Sequence, residues 1–535
     1  MKYNNSLRNI ALPLIIALSV IAGVVLGRVM PGNSSSHAPM TVKPRSNKIG
    51  NILNIIESKY VESVNREMIV EDAIPYILNK LDPHSVYIPA RDLQRMNEPL
   101  QGNFEGIGVS FNMLTDTVLI ISTIPGGPSE KVGVMAGDKI IYVEDSLVAG
   151  QGIPDQGIIS LLKGPRGTEV TIRVLRKGED LLLPFTIRRD KIPIFSVDVS
   201  YMIDSTTGYI KISRFSMTTY QEFLDGLTKL KDLGMENLIL DLRGNVGGVM
   251  DPSTQIADEF LEEGKLIVYT EGRASPRQDI YASSRGEFLD GKLLVIQDEW
   301  SASASEILAG AIQDNDRGAI VGRRSFGKGL VQEPMAFNDG SAMRLTIARY
   351  YTPTGRSIQK SYSNGTDAYY EDLHDRFARG EALDADSIQF ADSLKYTTPG
   401  GRTVYGGGGI MPDYFIPADT TGGSEYFNRL RQRSLIYRFA LSYSDDNRER
   451  LSSFSTAKEI DDYLSEESIM SSFVKYASEQ GVVASSGDMK KSGKIIEIQL
   501  KAYIARNFLD NDGFYPIWEG LDSTLREAIK YLNTL

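Results

Sequence analysis

The chain has 535 residues, with 58 basic against 69 acidic side chains for a net charge of −11, no cysteine and only three histidines. At 41% hydrophobic and 24% charged it is a folded globular protein, too long for one core and suited to about two to four domains. The missing cysteine excludes disulfides, thiolate nucleophiles and cysteine-based zinc or iron–sulfur sites. The absence of H-E-x-x-H excludes a zincin-type metallopeptidase, and the acidic balance argues against nucleic acid as partner, since phosphate binding needs a basic face. Along the chain, Lys2 and Arg8 precede an uncharged run from Asn9 to Gly27 that Arg28 closes. This run is long enough to cross a bilayer core, its positive flank belongs in the cytoplasm, and no A-x-A cleavage pattern follows it. Residues 1–29 are therefore expected to be an uncleaved signal anchor. The protein would be single-pass in a cell inner membrane, with its working part in the periplasm or otherwise outside the cytoplasm. Residues 30–46, rich in Pro, Ser and Gly and holding His37, read as a flexible linker.

Residues 47–99 are expected to form a small helical region, because IGNILNIIESKYV and VEDAIPYILNKL place apolar residues at helical spacing. It ends at LDPHSVYIPARDL, where His84 reads as a turn histidine satisfied by backbone. From 100 to 193 the pattern changes to short β-branched runs between Gly- and Pro-rich turns. With EGIGVSF, AGDKIIYVED and GPRGTEVTIRV in that order, the segment resembles a PDZ domain. The resemblance implies a carboxylate-binding loop and first peptide-binding strand at Gly106, Ile107, Gly108 and Val109. There backbone N–H groups would hold an anionic C-terminus and the strand would pair with an extended peptide.

From 194 to 419 strands alternate with helices, the grammar of an α/β sheet whose sites gather at the carboxyl ends of strands. LDLRGNVGG and QDEWSASASE occupy two such ends. Ser301, Ser303 and Ser305 crowd the second, beside the unpaired N–H groups of a helix start, which also suit an oxyanion. Ser303-Ala304-Ser305-Glu306 fits a capping box, so on local pattern capping accounts for Ser303, and Ser301 and Ser305 are equal candidates for a nucleophile. A serine needs a base, and histidine is nearly absent. A desolvated lysine can serve when its pKa falls from about 10.4 towards neutrality. Lys328, between Gly327 and Gly329, is a candidate, and Gln332 four residues on would share its face in a strand.

LDPHSVYIPARDL, EGIGVSF, LILDLRGNVGGVM, SASASEILAGAIQDNDRGAIVG, FGKGLVQ and GGGGIMPD together resemble the C-terminal processing peptidases, or tail-specific proteases, which are Ser–Lys serine peptidases with an embedded PDZ domain. The resemblance implies an exported serine endopeptidase with Ser303 as nucleophile, Lys328 as base and Gln332 as the lysine-orienting residue. It implies an oxyanion hole from the backbone N–H of Ala304 and that of Gly247 or Gly248, with no cofactor and no metal. It implies protein or peptide substrates bound by their C-termini. The implied architecture is an α/β (α+β) multidomain chain: a mixed-sheet peptidase core with an inserted mostly-β PDZ domain, an N-terminal helical segment and a C-terminal helical region.

Within the core, residues 360–397 read as a polar helical insertion holding His374, and the run Gly406–Gly409 as a close turn against the core, since no Gly-Lys-Ser/Thr follows. Residues 420–535 read as a polar, helical region in which a homo-oligomer contact, shielding of substrate or an adaptor contact are all open. Two rivals stand beside the peptidase reading. One is a catalytically inactive PDZ-containing peptide-binding scaffold, and the other an esterase or amidase, which would lack a G-x-S-x-G elbow and a histidine partner.

Overall fold

In a computed structural model the described residues are 47–113, 116–389 and 391–535. The expected anchor at 1–29 and the linker at 30–46 lie outside them. Among the described residues no helix is long and apolar enough to cross a membrane. The described residues divide into two compact units, 47–72 and 73–535. In the first, Asn47 caps the helix Lys48–Lys59 by accepting the Gly50 N–H at 2.9 Å, and Ile49, Ile52 and Ile55 along it are exposed.

The second unit is organised by a six-stranded sheet in the order Val197–Met202, Thr207–Ile212, Asn237–Asp241, Leu293–Gln297, Ala319–Gly322, Tyr414–Phe415. Its first pair is antiparallel and the others are parallel. The strands LILD, LLVIQ and AIVG are buried along their length, as expected of a parallel sheet covered on both faces. Side-chain alternation sorts the two covers. Leu238, Leu240 and Val295 face a core with Phe223, Ile256 and Leu308 from the helices Thr219–Asp232, Met250–Asp258 and Ala304–Asp314. Ile239, Leu294 and Ile296 face Leu525, Ala528 and Leu532 of the helix Ser523–Leu532. A second, antiparallel sheet holds Val86–Ile88, Ala342–Tyr351, Leu266–Glu271 and Gln278–Tyr281, with Leu330–Ala336 pairing Ala342–Tyr351.

The segment with PDZ resemblance forms its own sheet, in the order Val109–Met113, Val118–Thr123, Lys139–Val143, Glu169–Leu175, Leu183–Arg188. The segment also holds the short helices Pro128–Lys131 and Asp155–Leu162, and it closes around a separate core. The chain enters and leaves it through one antiparallel ribbon, Asn103–Gly106 with Asp190–Pro193. The polar stretch after Lys360 contains the helix Thr366–Ala378. In the glycine run, Gly407 and Gly409 donate to the Ser357 and Ile358 carbonyls at 2.7 and 2.8 Å, a turn against the core. Residues beyond 420 pack helices around Phe439, Phe473, Leu500 and Ile504. The long helix Ser486–Trp518 breaks at Leu509 and Asp510.

Candidate active site

The strand Leu293–Gln297 runs into the turn that carries the three serines, and the structure separates them. Ser301 Oγ donates to the Leu242 carbonyl at 2.8 Å and Ser305 Oγ to the Asn245 carbonyl at 2.9 Å, both buried. Ser303 instead lines a cleft of about 730 Å³ together with Ala304, Gly247, Gly248, Lys328 and Gln332. Ser303 and Glu306 do stand as a capping box. Its close hydrogen bonds, however, use the serine backbone: Ser303 N–H donates to the Glu306 carboxylate at 2.8 Å, and Glu306 N–H to the Ser303 carbonyl at 2.8 Å. Ser303 has φ 57° and ψ −113°, a strained conformation for a residue with a Cβ. Such strain persists only where the surroundings over-determine it.

Those surroundings centre on Glu306, which the sequence pattern marks only as a cap. Its fully buried carboxylate accepts from Ser303 N–H, Ser325 Oγ (2.6 Å), Gly327 N–H (2.7 Å) and Lys328 N–H (2.9 Å). One side chain thus ties the serine turn to the lysine loop. Burial pushes its carboxyl up to about 7, against the pull of these donors. Tyr350, 1% exposed, closes the same loop from the other side, its hydroxyl 2.6 Å from the Lys328 carbonyl and 3.1 Å from that of Ser303. Burial holds the Lys328 ammonium below the usual lysine range; the Glu306 carboxylate opposes this and the Arg344 guanidinium adds to it.

Lys328 directly precedes the strand Leu330–Ala336 that carries Gln332, and both residues line the cleft. Gln332 Nε2 lies 3.3 Å from Thr346 Oγ1, which donates to Asp82 at 3.1 Å. Asp82 is the buried acid of LDPHS and also takes Ser85 Oγ at 2.6 Å. His84 is half-buried, its Nε2 2.9 Å from the Tyr369 hydroxyl. Burial, and then the nearby Lys328 charge, lower its pKa to about 4.

The LDLRGNVGG turn is fastened to the serine turn through Asn245. The Asn245 carbonyl takes Ala302 N–H at 3.0 Å, and its side chain takes Gly247 N–H at 2.9 Å. Gly247 has φ 95°, and a Cβ there would stand 2.7 Å from Ser303 Cβ; at Gly248 it would stand 1.9 Å from the Phe215 carbonyl oxygen. Only glycine lets the two turns approach this closely. Phe215 N–H donates to the Gly247 carbonyl and Val249 N–H to that of Phe215, so Gly248 turns its own N–H away from Phe215.

The second site residues lie elsewhere. Ile107, Gly108 and Val109 line a groove of about 320 Å³ with Phe111, Ile159 and Leu162, beside the edge strand Val109–Met113. Gly106 is instead the last residue of the entry ribbon, paired with Asp190. Lys163, at the groove's end, pairs with Glu98 at 2.5 Å. Glu98 belongs to the helix Ala90–Gln101, whose Asn97 and Leu100 line the cleft that holds Ser303.

The model of Peptidase family S41 matches residues 206–367, the PDZ domain model residues 106–187, an activating protease CtpB N-terminal domain model residues 29–91, and a family of unknown function residues 426–510. The carboxy-terminal-processing protease of Bartonella bacilliformis is 33% identical over 347 residues, 63% of this chain and 79% of that protein. Carboxy-terminal processing protease CtpA of Bacillus subtilis is 31% identical over 357 residues, 66% of this chain and 76% of that protein. Among solved structures, a photosystem II D1 C-terminal processing protease aligns at 27% identity and a TM-score of 0.35, covering 58% of this chain and 83% of that one. The chain belongs to the carboxy-terminal processing proteases, serine endopeptidases of family S41 that carry a PDZ domain.

Proposed function

We propose that this chain is an exported endopeptidase that captures substrate C-termini in the groove at Ile107, Gly108 and Val109 and cleaves peptide bonds with Ser303 and Lys328. The observation that carries the reading is the double tie between the two residues: Glu306 binds the backbone N–H of both, and Tyr350 lies within reach of both carbonyls. Such fastening holds a nucleophile and its base at fixed separation, which is where much of the rate of a covalent mechanism comes from.

Neutral Lys328 takes the Ser303 hydroxyl proton as the oxygen attacks the scissile carbonyl. The tetrahedral oxyanion is held by Ala304 N–H and by Gly248 N–H, since Gly247 N–H is already given to Asn245. Collapse breaks the C–N bond, and Lys328 returns the proton to the departing amine. Water then attacks the acyl-enzyme, with Lys328 again taking and returning a proton. Gln332, linked through Thr346 to Asp82, orients the lysine. The chemistry calls for no cofactor beyond water. In the groove, the edge strand Val109–Met113 offers unpaired backbone groups to an extended peptide, and the apolar lining suits an apolar terminal residue. The run Asn9–Gly27 is read as the anchor that exports the protein.

The test is cleavage of a reporter peptide with an apolar C-terminus, compared with the same peptide amidated at its end. The wild type should cleave both, with a KM about tenfold higher for the amide; Ser303→Ala should cleave neither. Full activity in Ser303→Ala would falsify the nucleophile assignment, and equal KM values would remove C-terminus recognition.

A further inference from the structure

The helix Ser523–Leu532 lies outside the segment matched as peptidase, yet its first turn reaches the turn that bears Gly247 and Gly248. Asp522 is the N-cap of this helix, accepting Leu525 N–H at 2.8 Å. The same carboxylate takes both terminal nitrogens of Arg243, Nη1 at 2.9 Å and Nη2 at 2.6 Å. This fork geometry fixes direction as well as distance. On its other side Arg243 is held by Asp241, with Nη2 at 2.6 Å and Nε at 3.0 Å. Asp241 is fully buried, takes the Tyr209 hydroxyl at 2.6 Å and lies 3.5 Å from Lys211 Nζ. Arg243 is therefore gripped between one carboxylate from the sheet and one from the helix.

The residues directly after Arg243 give this grip its importance. Gly244 donates its N–H to Asp298 at 3.0 Å; Asn245 then fastens the serine turn, and Gly247 stands against Ser303. The helix does not float at this point. Leu525, Ala528 and Leu532 bury against the sheet whose strands end at both turns. Asp522 thus refers the position of the Arg243–Gly248 turn to the sheet itself, independently of the local Asp241 contact.

We propose that Asp522 is a positioning residue of the peptidase reaction, holding through Arg243 the backbone turn that stabilises the oxyanion. The inference rests on the Ser303–Lys328 reading above. Because the oxyanion exists only along the reaction path, a displaced donor lowers kcat and spares KM. Losing one oxyanion donor outright costs about 10²- to 10³-fold in kcat; a donor displaced but not deleted should cost about tenfold to a hundredfold.

The experiment measures kcat, KM and thermal melting of the full chain with the apolar-tailed reporter for Asp522→Asn, Asp522→Ser and Asp522→Glu. Asparagine and serine keep an N-cap acceptor while removing the charge that grips Arg243, so the helix is retained. The expected result is a kcat at least tenfold below wild type in Asp522→Asn and Asp522→Ser, with KM within twofold and a cooperative melt. Asp522→Glu, which keeps the carboxylate, should recover part of the loss. Binding of a peptide aldehyde, whose adduct with serine carries the oxyanion, should weaken in parallel with kcat, while binding of uncleaved peptide to Ser303→Ala/Asp522→Asn should not weaken. A kcat within twofold of wild type in Asp522→Asn and Asp522→Ser, whatever the melting shift, overturns the proposal, as does a change confined to KM. Failure of all three variants to fold would make Asp522 a folding determinant and also overturn it. If Ser303→Ala itself keeps activity, the reading of the site fails first and is recognised as such.

Discussion

Under the proposed function, the cleft around Ser303 and the groove around Val109 answer opposite problems. The cleft is bound by ionic and polar side chains, Glu306, Asn245, Asp82 and the Asp241–Arg243 pair, each tied to at least one distant segment. The groove is lined by Ile107, Val109, Phe111, Ile159 and Leu162 and flanked by a strand with a free edge, with the ion pair Lys163–Glu98 at its end. A reaction that develops charge needs dipoles fixed before the substrate arrives. Capture of a peptide needs only apolar surface and unpaired backbone, which accommodate many sequences. Substitutions in the cleft should therefore act on kcat, and those in the groove on KM.

The largest break in that contrast is Lys328→Ala, which should lower peptide hydrolysis by about 10³-fold or more while circular dichroism and melting stay near wild type. Residual activity within tenfold of wild type would make another group the base. Next comes Glu306→Gln, with kcat down about 10- to 100-fold as the serine and lysine loops lose their common tie.

The same variant has a pH signature. The folded Glu306 carboxyl sits at about 7, above its ordinary 4.5, so the native state binds a proton more tightly than the unfolded chain does. The contribution of this group to stability is then fully present below about 4.5 and is lost as pH rises through about 7. Melting temperatures should fall less between pH 5 and 7.5 in Glu306→Gln than in wild type, and parallel curves would contradict the shift. In the proposed mechanism the group controlling activity is Lys328, which must be neutral to accept a proton. Its pKa is lowered by burial, so kcat/KM should fall with decreasing pH through a value below the ordinary lysine range of about 10.4. A profile that stays flat from pH 5 to 10 would remove the neutral lysine. The smallest effect belongs to the groove: Ile159→Asp should raise KM for the apolar-tailed reporter about tenfold, by placing a charge against an apolar tail, with a smaller change in kcat.

The long apolar strands were legible because continuous buried runs such as LLVIQ have few other uses. The PDZ-like segment was legible because its turns and β-branched runs come in a fixed order. The distinction among Ser301, Ser303 and Ser305 was not, since all three share one local pattern; the carbonyls that occupy Ser301 and Ser305 come from Leu242 and Asn245, far back in the chain. Glu306 was visible as a cap, but its other donors belong to the loop 325–328, which periodicity does not bring near. The even spacing of Lys328 and Gln332 suggested one face, and both line the cleft, but the link from Gln332 through Thr346 to Asp82 joins segments that no spacing relates. Asp522 was not legible, because a pair with Arg243, 279 residues back in the chain, has no sequence spacing to betray it.

The covering of the central sheet by Leu525, Ala528 and Leu532 has a bearing on how the protein is made. Its strands emerge from the ribosome long before the helix Ser523–Leu532 does. Until that helix is synthesised, Ile239, Leu294 and Ile296 present a bare apolar face, an invitation to aggregation or to a chaperone. A chain that stops before residue 523 lacks this cover over Ile239, Leu294 and Ile296.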